Sequence, residues 1–107
     1  MQNSYDIIII GGGPGGTKAA KVLARSGKKV AIVSDNLGGE CLNYGCIPTK
    51  TYLWTAELFE KISQAQSQGI DVQEARLNWE AMKKRRIDVV AKLKKEKYGA
   101  EQWNYQR

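Results

Sequence analysis

The chain has 107 residues, 42% of them hydrophobic and 26% charged, with a formal net charge of +6, which leaves room for one small domain. It contains no histidine and two cysteines, so a structural zinc site would need distant carboxylates to complete it, and no metal centre is expected. The N-terminus carries neither a basic region nor a long apolar stretch; no signal core or membrane span is expected, and the cytoplasm is the expected setting.

Tyr5 to Ile10 ends in four consecutive isoleucines, which predicts a short strand buried on both faces of a parallel sheet. Glycines follow at once. Gly11, Gly13 and Gly16 form GxGxxG, Ala19, Ala20 and Leu23 continue from Gly16 at helical spacing, and Ser26-Gly27 closes the predicted helix. Lys29 to Val33 is the second predicted strand and completes a βαβ unit. In a dinucleotide site the three glycines serve different physical ends, with a tight turn at Gly11, close approach to a pyrophosphate at Gly13, and helix-to-sheet contact at Gly16. The helix N-terminus then receives the phosphates. The ribose-binding carboxylate of this fingerprint is expected at the end of the second strand. Ser34 stands there and Asp35 follows one residue later; both are candidates, and Asp35 is equally readable as a solvated turn residue.

Gly38 to Lys50 reads GGECLNYGCIPTK. Any intramolecular disulfide must join Cys41 to Cys46, because there are no other cysteines. Residues five apart in a helix are separated by roughly 7.5 Å along its axis, whereas a disulfide needs Cα atoms within about 7 Å, so the segment must leave ideal helix geometry between them. Gly45 permits an unusual backbone angle before Cys46, and Pro48 fits the first turn of a helix continuing through Leu53 and Leu58. Cys46 then lies at a helix start, where the dipole favours a thiolate. The residues alone leave three readings open: a redox pair, a structural disulfide, or two inert thiols.

The GGGPGG turn followed by GGECLNYGCIPTK resembles the N-terminal part of the FAD domain in pyridine nucleotide-disulfide oxidoreductases, the family of dihydrolipoamide dehydrogenase, glutathione reductase and mercuric reductase. The match covers residues 5 to 53 well and residues 54 to 97 loosely. Leu42, Asn43 and Ile47 are more similar to the dihydrolipoamide dehydrogenase version. The resemblance implies an α/β fold: an incomplete Rossmann-like FAD-binding βαβ unit followed by two helices, with residues 1–107 forming the N-terminal part of an FAD/NAD(P)-binding domain. It implies that Gly11, Gly13 and Gly16, with Ser34, Asp35 and Gly39, hold FAD. Cys41 would be the thiol that meets the substrate, Cys46 would face the flavin, and Lys50 would lie near the flavin ring, although an ordinary first-turn lysine is the plain reading of that position. Glu40, Tyr44 and Thr49 depart from the family pattern, where threonine, a small apolar residue and serine are common. A carboxylate at Glu40 would oppose the cofactor phosphates unless it turned outward or met a cation.

The implied chemistry is electron flow between NADH or NADPH, FAD and the cysteine pair, then exchange with a disulfide or dithiol substrate in a homodimer. The family's enzymes are several times longer, and their acid-base histidine and glutamate come from a C-terminal interface domain. With no second glycine fingerprint and no histidine, this chain is expected to be a fragment that is inactive alone. The alternative is a non-catalytic dinucleotide-binding module whose cysteine pair is structural.

Most of the positive charge is local. Residues 80 to 97 hold eight Lys or Arg against three Asp or Glu, within a basic amphipathic helix predicted over 75–98. Trp79, Met82, Ile87, Val90 and Leu93 form its apolar stripe. Such a helix can bind nucleic acid or anionic membranes, but no nucleic-acid motif accompanies it, and a solvated face over a core-facing stripe is the expectation. Trp54, Trp79 and Trp103 are expected to be packing or frayed-end residues rather than a stacking platform. Ser63 to Glu74, rich in Gln and Ser around Gly69, is the expected link between the last two helices.

Overall fold

The structure is a computed structural model and describes residues 4–99. Strand β1 (Ile7–Ile10) leads through the glycine turn into helix α1 (Pro14–Arg25) and strand β2 (Val30–Val33). The strands pair in parallel, Ile7 opposite Val30 through Ile10 opposite Val33. Both begin one or two residues later than predicted. Asp6 closes the entry instead: its carboxylate accepts from the Lys29 N–H at 2.7 Å, and its own N–H donates to the Lys29 carbonyl at 2.8 Å.

Helix α1 starts where sequence chemistry requires. Gly13 is its N-cap in an extended conformation, Pro14 occupies the first turn, and Ser26 with a left-handed Gly27 ends it. Thr17 and Ala20 are the buried positions, facing the sheet at helical spacing. The opposite face of the sheet is open among the described residues. Ile8 and Ile10 are 62% and 88% exposed, which corrects the expectation of a strand buried on both faces. Four β-branched residues are compatible with double burial, but the second covering layer has to come from elsewhere, and here α1 covers one side only.

After β2 the chain turns through Ser34–Gly38 into a short helix α2 (Gly39–Asn43), breaks at Tyr44–Gly45, and resumes as α3 (Cys46–Gln64). A 3-10 turn (Ala65–Gln68) and a left-handed Gly69 end that element. The predicted link at Ser63–Glu74 is therefore displaced: α3 keeps Ser63 and Gln64, and the extended connection runs on to Asn78. Helix α4 spans Trp79–Tyr98 rather than beginning at residue 75, because the Asn78 side chain accepts the Ala81 N–H at 3.0 Å and fixes the start there.

Helices α3 and α4 form a long hairpin, pinned at one level by Tyr52 stacked on Trp79 with ring centroids 5.9 Å apart. Met82, Val90 and Leu93 are half-buried as expected, but Trp79 and Ile87 are each 53% exposed. Val89 and the stem of Arg86 take part in the half-buried stripe instead. On the outer face, Lys83 pairs with Glu80 at 2.6 Å and Lys84 with Asp88 at 2.5 Å; exposed pairs of this kind contribute little to stability. Trp54 is 59% exposed, and Trp103 lies outside the described residues. The described part of the chain is elongated, 67 × 25 × 21 Å, with buried hydrophobic side chains limited to Ala20 and Leu42.

Candidate functional site

The glycine turn is built on contact rather than on freedom alone. A Cβ added at Gly16 would collide with the Gly11 carbonyl and approach Ile9 Cγ2 at 3.3 Å, so helix and strand meet there without room for a side chain. Gly11 has φ +106° and open space around it. Gly13 is different: its φ is −73°, and a Cβ would meet nothing nearer than Gly39 Cα at 3.9 Å. The chain itself therefore does not demand glycine at 13, whereas a ligand approaching the backbone would.

The first-turn N–H groups of α1 have no acceptor within the helix, and no acidic residue occupies that turn. Together with the open side of Gly13, this donor set fits an anionic phosphate. Thr17, which the sequence pattern does not single out, is 5% exposed. Its hydroxyl donates to the Gly13 carbonyl at 2.9 Å, fixing the turn from beneath.

Two glycine turns meet at this point. The Gly38 N–H donates to the Gly12 carbonyl at 2.8 Å, and a Cβ on Gly39 would lie 2.7 Å from Gly13 Cα. The pyrophosphate-type turn thus touches the start of the cysteine helix. Ser34 lies beside it, since a Cβ on Gly12 would meet Ser34 Oγ at 2.7 Å; that hydroxyl also accepts the Asn36 N–H at 3.3 Å. Asp35 is exposed on the same turn. Glu40 is likewise exposed, in the first turn of α2, so its carboxylate turns toward solvent.

Asn43, between the cysteines, is 7% exposed and donates from Nδ2 to the Gly39 carbonyl at 2.7 Å and the Leu37 carbonyl at 3.3 Å. It ties α2 to the turn before it. An amide side chain two residues after a cysteine was the available signal. Tyr44, the departure from the family pattern, accepts the Asn36 Nδ2 at 3.3 Å, and Asn36 Oδ1 accepts Lys94 Nζ at 2.8 Å. Helix α4 is thereby tethered to the cysteine segment.

Cys41 on α2 and Cys46 at the start of α3 lie on either side of the break at Tyr44–Gly45. Both are thiols in this structure, Cys41 half-buried and Cys46 exposed. The hydrogen bond between the thiols pushes the Cys41 pKa up from its ordinary value, aided by desolvation and by negative charge on Cys46; the Lys50 ammonium and the Cys46 N–H act in the opposite sense. Lys50 stands four residues after Cys46 on the same helix, hence on one face with it. The arrangement is a dithiol beside a cation, about one short helix away from the glycine turn before α1. Among the described residues no group of three or more metal-ligating side chains occurs.

The sequence profile of the pyridine nucleotide-disulphide oxidoreductase family matches residues 5–103. The chain belongs to that family. It is 43% identical over 95 residues to dihydrolipoyl dehydrogenase of Acholeplasma laidlawii, covering 87% of this chain and 28% of that protein. Against dihydrolipoyl dehydrogenase of Bacillus subtilis (strain 168) it is 42% identical over 94 residues, covering 87% and 20%. A solved structure of the HOCl-induced flavoprotein disulfide reductase RclA from Escherichia coli, in a Cu(II) complex, superposes with a TM-score of 0.62 at 31% identity, over 89% of this chain and 18% of that one. This member of the pyridine nucleotide-disulphide oxidoreductase family thus spans between about a fifth and just over a quarter of the length of these two curated relatives, and its α/β fold matches the corresponding part of a flavoprotein disulfide reductase. Among the described residues no helix is long and apolar enough to cross a membrane.

Proposed function

We propose that this chain forms the pyrophosphate-binding and redox-dithiol part of an FAD-dependent disulfide oxidoreductase, most similar to dihydrolipoyl dehydrogenase. The observation that carries the reading is the direct contact between the Gly12–Gly13 turn and the Gly38–Gly39 turn that leads into Cys41. A cofactor held at the first is delivered beside the thiols on the second.

Gly11, Gly13 and Gly16 would receive the FAD pyrophosphate, with Gly39 closing the cradle and Ser34 or Asp35 nearest the ribose. Bound there, FAD would supply two-electron transfer between NADH or NADPH and the dithiol. The chain's own residues supply the rest. Cys41 exchanges with a disulfide or dithiol substrate, Cys46 lies on the flavin side, and Lys50 places a positive charge beside both. Asn43 and Gly45 keep the two sulfurs in reach across the helix break. The homodimer, the nicotinamide site and a reducing cytoplasmic setting belong to the same reading of the complete enzyme.

The test is a titration of the chain with FAD, followed by flavin fluorescence. Phosphate contacts alone correspond to an affinity in the upper micromolar range, about 5 to 6 kcal/mol. Binding that Gly13→Val abolishes supports the reading; binding indifferent to Gly13→Val removes the glycine turn as the site. If the chain binds no flavin while its thiols form a stable, unreactive disulfide, it is a non-catalytic module with a structural pair.

A further inference from the structure

Helix α2 carries Cys41 and is only five residues long, so its position relative to Cys46 depends on how its two ends are held. Asn36 holds both. Its carbonyl accepts the Gly39 N–H at 3.2 Å, at the start of α2, and its amide donates to the Tyr44 hydroxyl at 3.3 Å, at the end. The break between the cysteines is Tyr44–Gly45, and glycine has no side chain, so the Tyr44 ring is the side-chain handle on it. The Tyr44 and Gly45 N–H groups both donate to the Glu40 carbonyl, which closes the turn but fastens it only to α2 itself.

Lys94 decides which way the Asn36 amide points. An asparagine can present either its oxygen or its nitrogen in a given direction. Lys94 Nζ donates to Oδ1 at 2.8 Å, which commits the oxygen to α4 and leaves Nδ2 for Tyr44. That partner sets Lys94 apart on its helix. Lys83, Lys84 and Lys92 each meet a carboxylate of α4 three or four positions away, whereas half-buried Lys94 reaches 58 positions back along the chain.

We infer that Lys94 is a positioning residue for the dithiol: through Asn36 and Tyr44 it holds the helix break in the shape that keeps Cys41 and Cys46 within reach of one another. The inference rests on the reading of the pair as redox-active and adds to it a component from outside the cysteine segment. Tyr44 stands where a small apolar residue is common in the family, so this chain carries the hydroxyl that the relay needs. Two thiols ordered in advance have a higher effective concentration for one another, which favours the closed disulfide over the open dithiol.

The reduced 107-residue chain is equilibrated with mixtures of oxidised and reduced glutathione, and the fraction carrying the internal disulfide is read by mass after acid quenching and thiol trapping. In that exchange the two cysteines lose two electrons and two protons and become one disulfide, while one oxidised glutathione gains both and becomes two glutathione thiols. Lys94→Met is expected to lower the equilibrium constant roughly fivefold, the worth of one net hydrogen bond, and Lys94→Arg, which keeps a cationic donor, should restore it. Tyr44→Phe should lower the constant likewise, and adding Lys94→Met to it should change little more, because both act on one route. Urea unfolding of the oxidised and reduced forms separates positioning from mere support: a lysine that only supports the fold destabilises both forms equally and leaves the constant unmoved. An unmoved constant in Lys94→Met, or fully additive losses with Tyr44→Phe, overturns the inference while the redox reading stands on the wild-type disulfide. A wild-type chain that forms no internal disulfide overturns the redox reading and the inference with it.

Discussion

Gly39 packs against Gly13 backbone to backbone: a Cβ on Gly39 would come within 2.7 Å of Gly13 Cα, and Gly39 itself has φ +57°. The converse substitution is open, because a Cβ on Gly13 reaches only to 3.9 Å from Gly39 Cα. Two glycines in one contact therefore have different reasons to be glycine. Gly39→Ala is expected to destabilise the chain by about 1 to 3 kcal/mol through overpacking and a left-handed side chain. Gly13→Ala should leave stability nearly unchanged and weaken FAD binding. Urea unfolding and FAD titration of the two variants side by side check the separation; a Gly13→Ala protein as unstable as Gly39→Ala would contradict it.

Asn43 offers both amide hydrogens to carbonyls of the Leu37–Gly39 turn. Replacing it with leucine keeps the approximate volume and removes two hydrogen bonds to half-buried carbonyls, at a cost of about 1 kcal/mol. Asn43→Leu should lower the urea midpoint and also perturb the reactivity of Cys41 on the same helix. Unchanged unfolding would show that water replaces the amide at no cost.

The pKa of Cys41 is raised in the folded chain from an ordinary value of 9.0. A group that binds its proton more tightly when folded lends stability that is complete below the unfolded pKa and is lost as pH rises through the folded one. The reduced chain should therefore lose stability above about pH 9, and Cys41→Ser should remove that part of the alkaline loss. Lys50→Met removes a cation that opposes the shift, so it should raise the Cys41 pKa further. Unfolding midpoints across the alkaline range, with thiolate absorbance of Cys41 in each variant, read out both effects. A fall in the Cys41 pKa on losing Lys50 would refute the electrostatic account.

Ile9 and Ile10 are neighbours on β1 with opposite fates. Ile9 lies under the α1 side of the sheet, against Gly16, and Ile10 is 88% exposed. Ile9→Ala should cost about 2 kcal/mol, near the low end for large-to-small changes in packed sites, while Ile10→Thr should stay within about 0.5 kcal/mol of wild type. With so few buried hydrophobic side chains on a two-stranded sheet, thermal unfolding of the chain should be broad and weakly cooperative. A sharp melt, or a larger loss at Ile10 than at Ile9, would show that the open face is covered in solution.

Short-range chemistry made much of this protein legible in its sequence. Four isoleucines before GGGPGG, with alanines at helical spacing and a second β-branched run, determine strand, turn, helix and strand, because backbone preferences act over a few residues. Gly45, between the two cysteines, likewise signalled the helix break that is found at Tyr44–Gly45. The apolar stripe predicted for α4 was less informative: Asn78 capping decided its first residue, and Val89 rather than Ile87 is the half-buried position.

The tertiary structure alone decided which groups meet. Gly39 against Gly13, Asn43 beneath the Leu37–Gly39 turn, and Lys94 reaching Asn36 from α4 depend on how the βαβ unit and the helical hairpin fold back on one another. No local preference encodes those distances. The same holds for the sheet: β-branched side chains fix the strand, but whether Ile8 and Ile10 are buried depends on what packs over them, and α1 reaches only the other face. Exposure of Cys46 and shelter of Cys41 follow from that packing too, because burial is a property of the neighbours a side chain acquires and not of the residue itself.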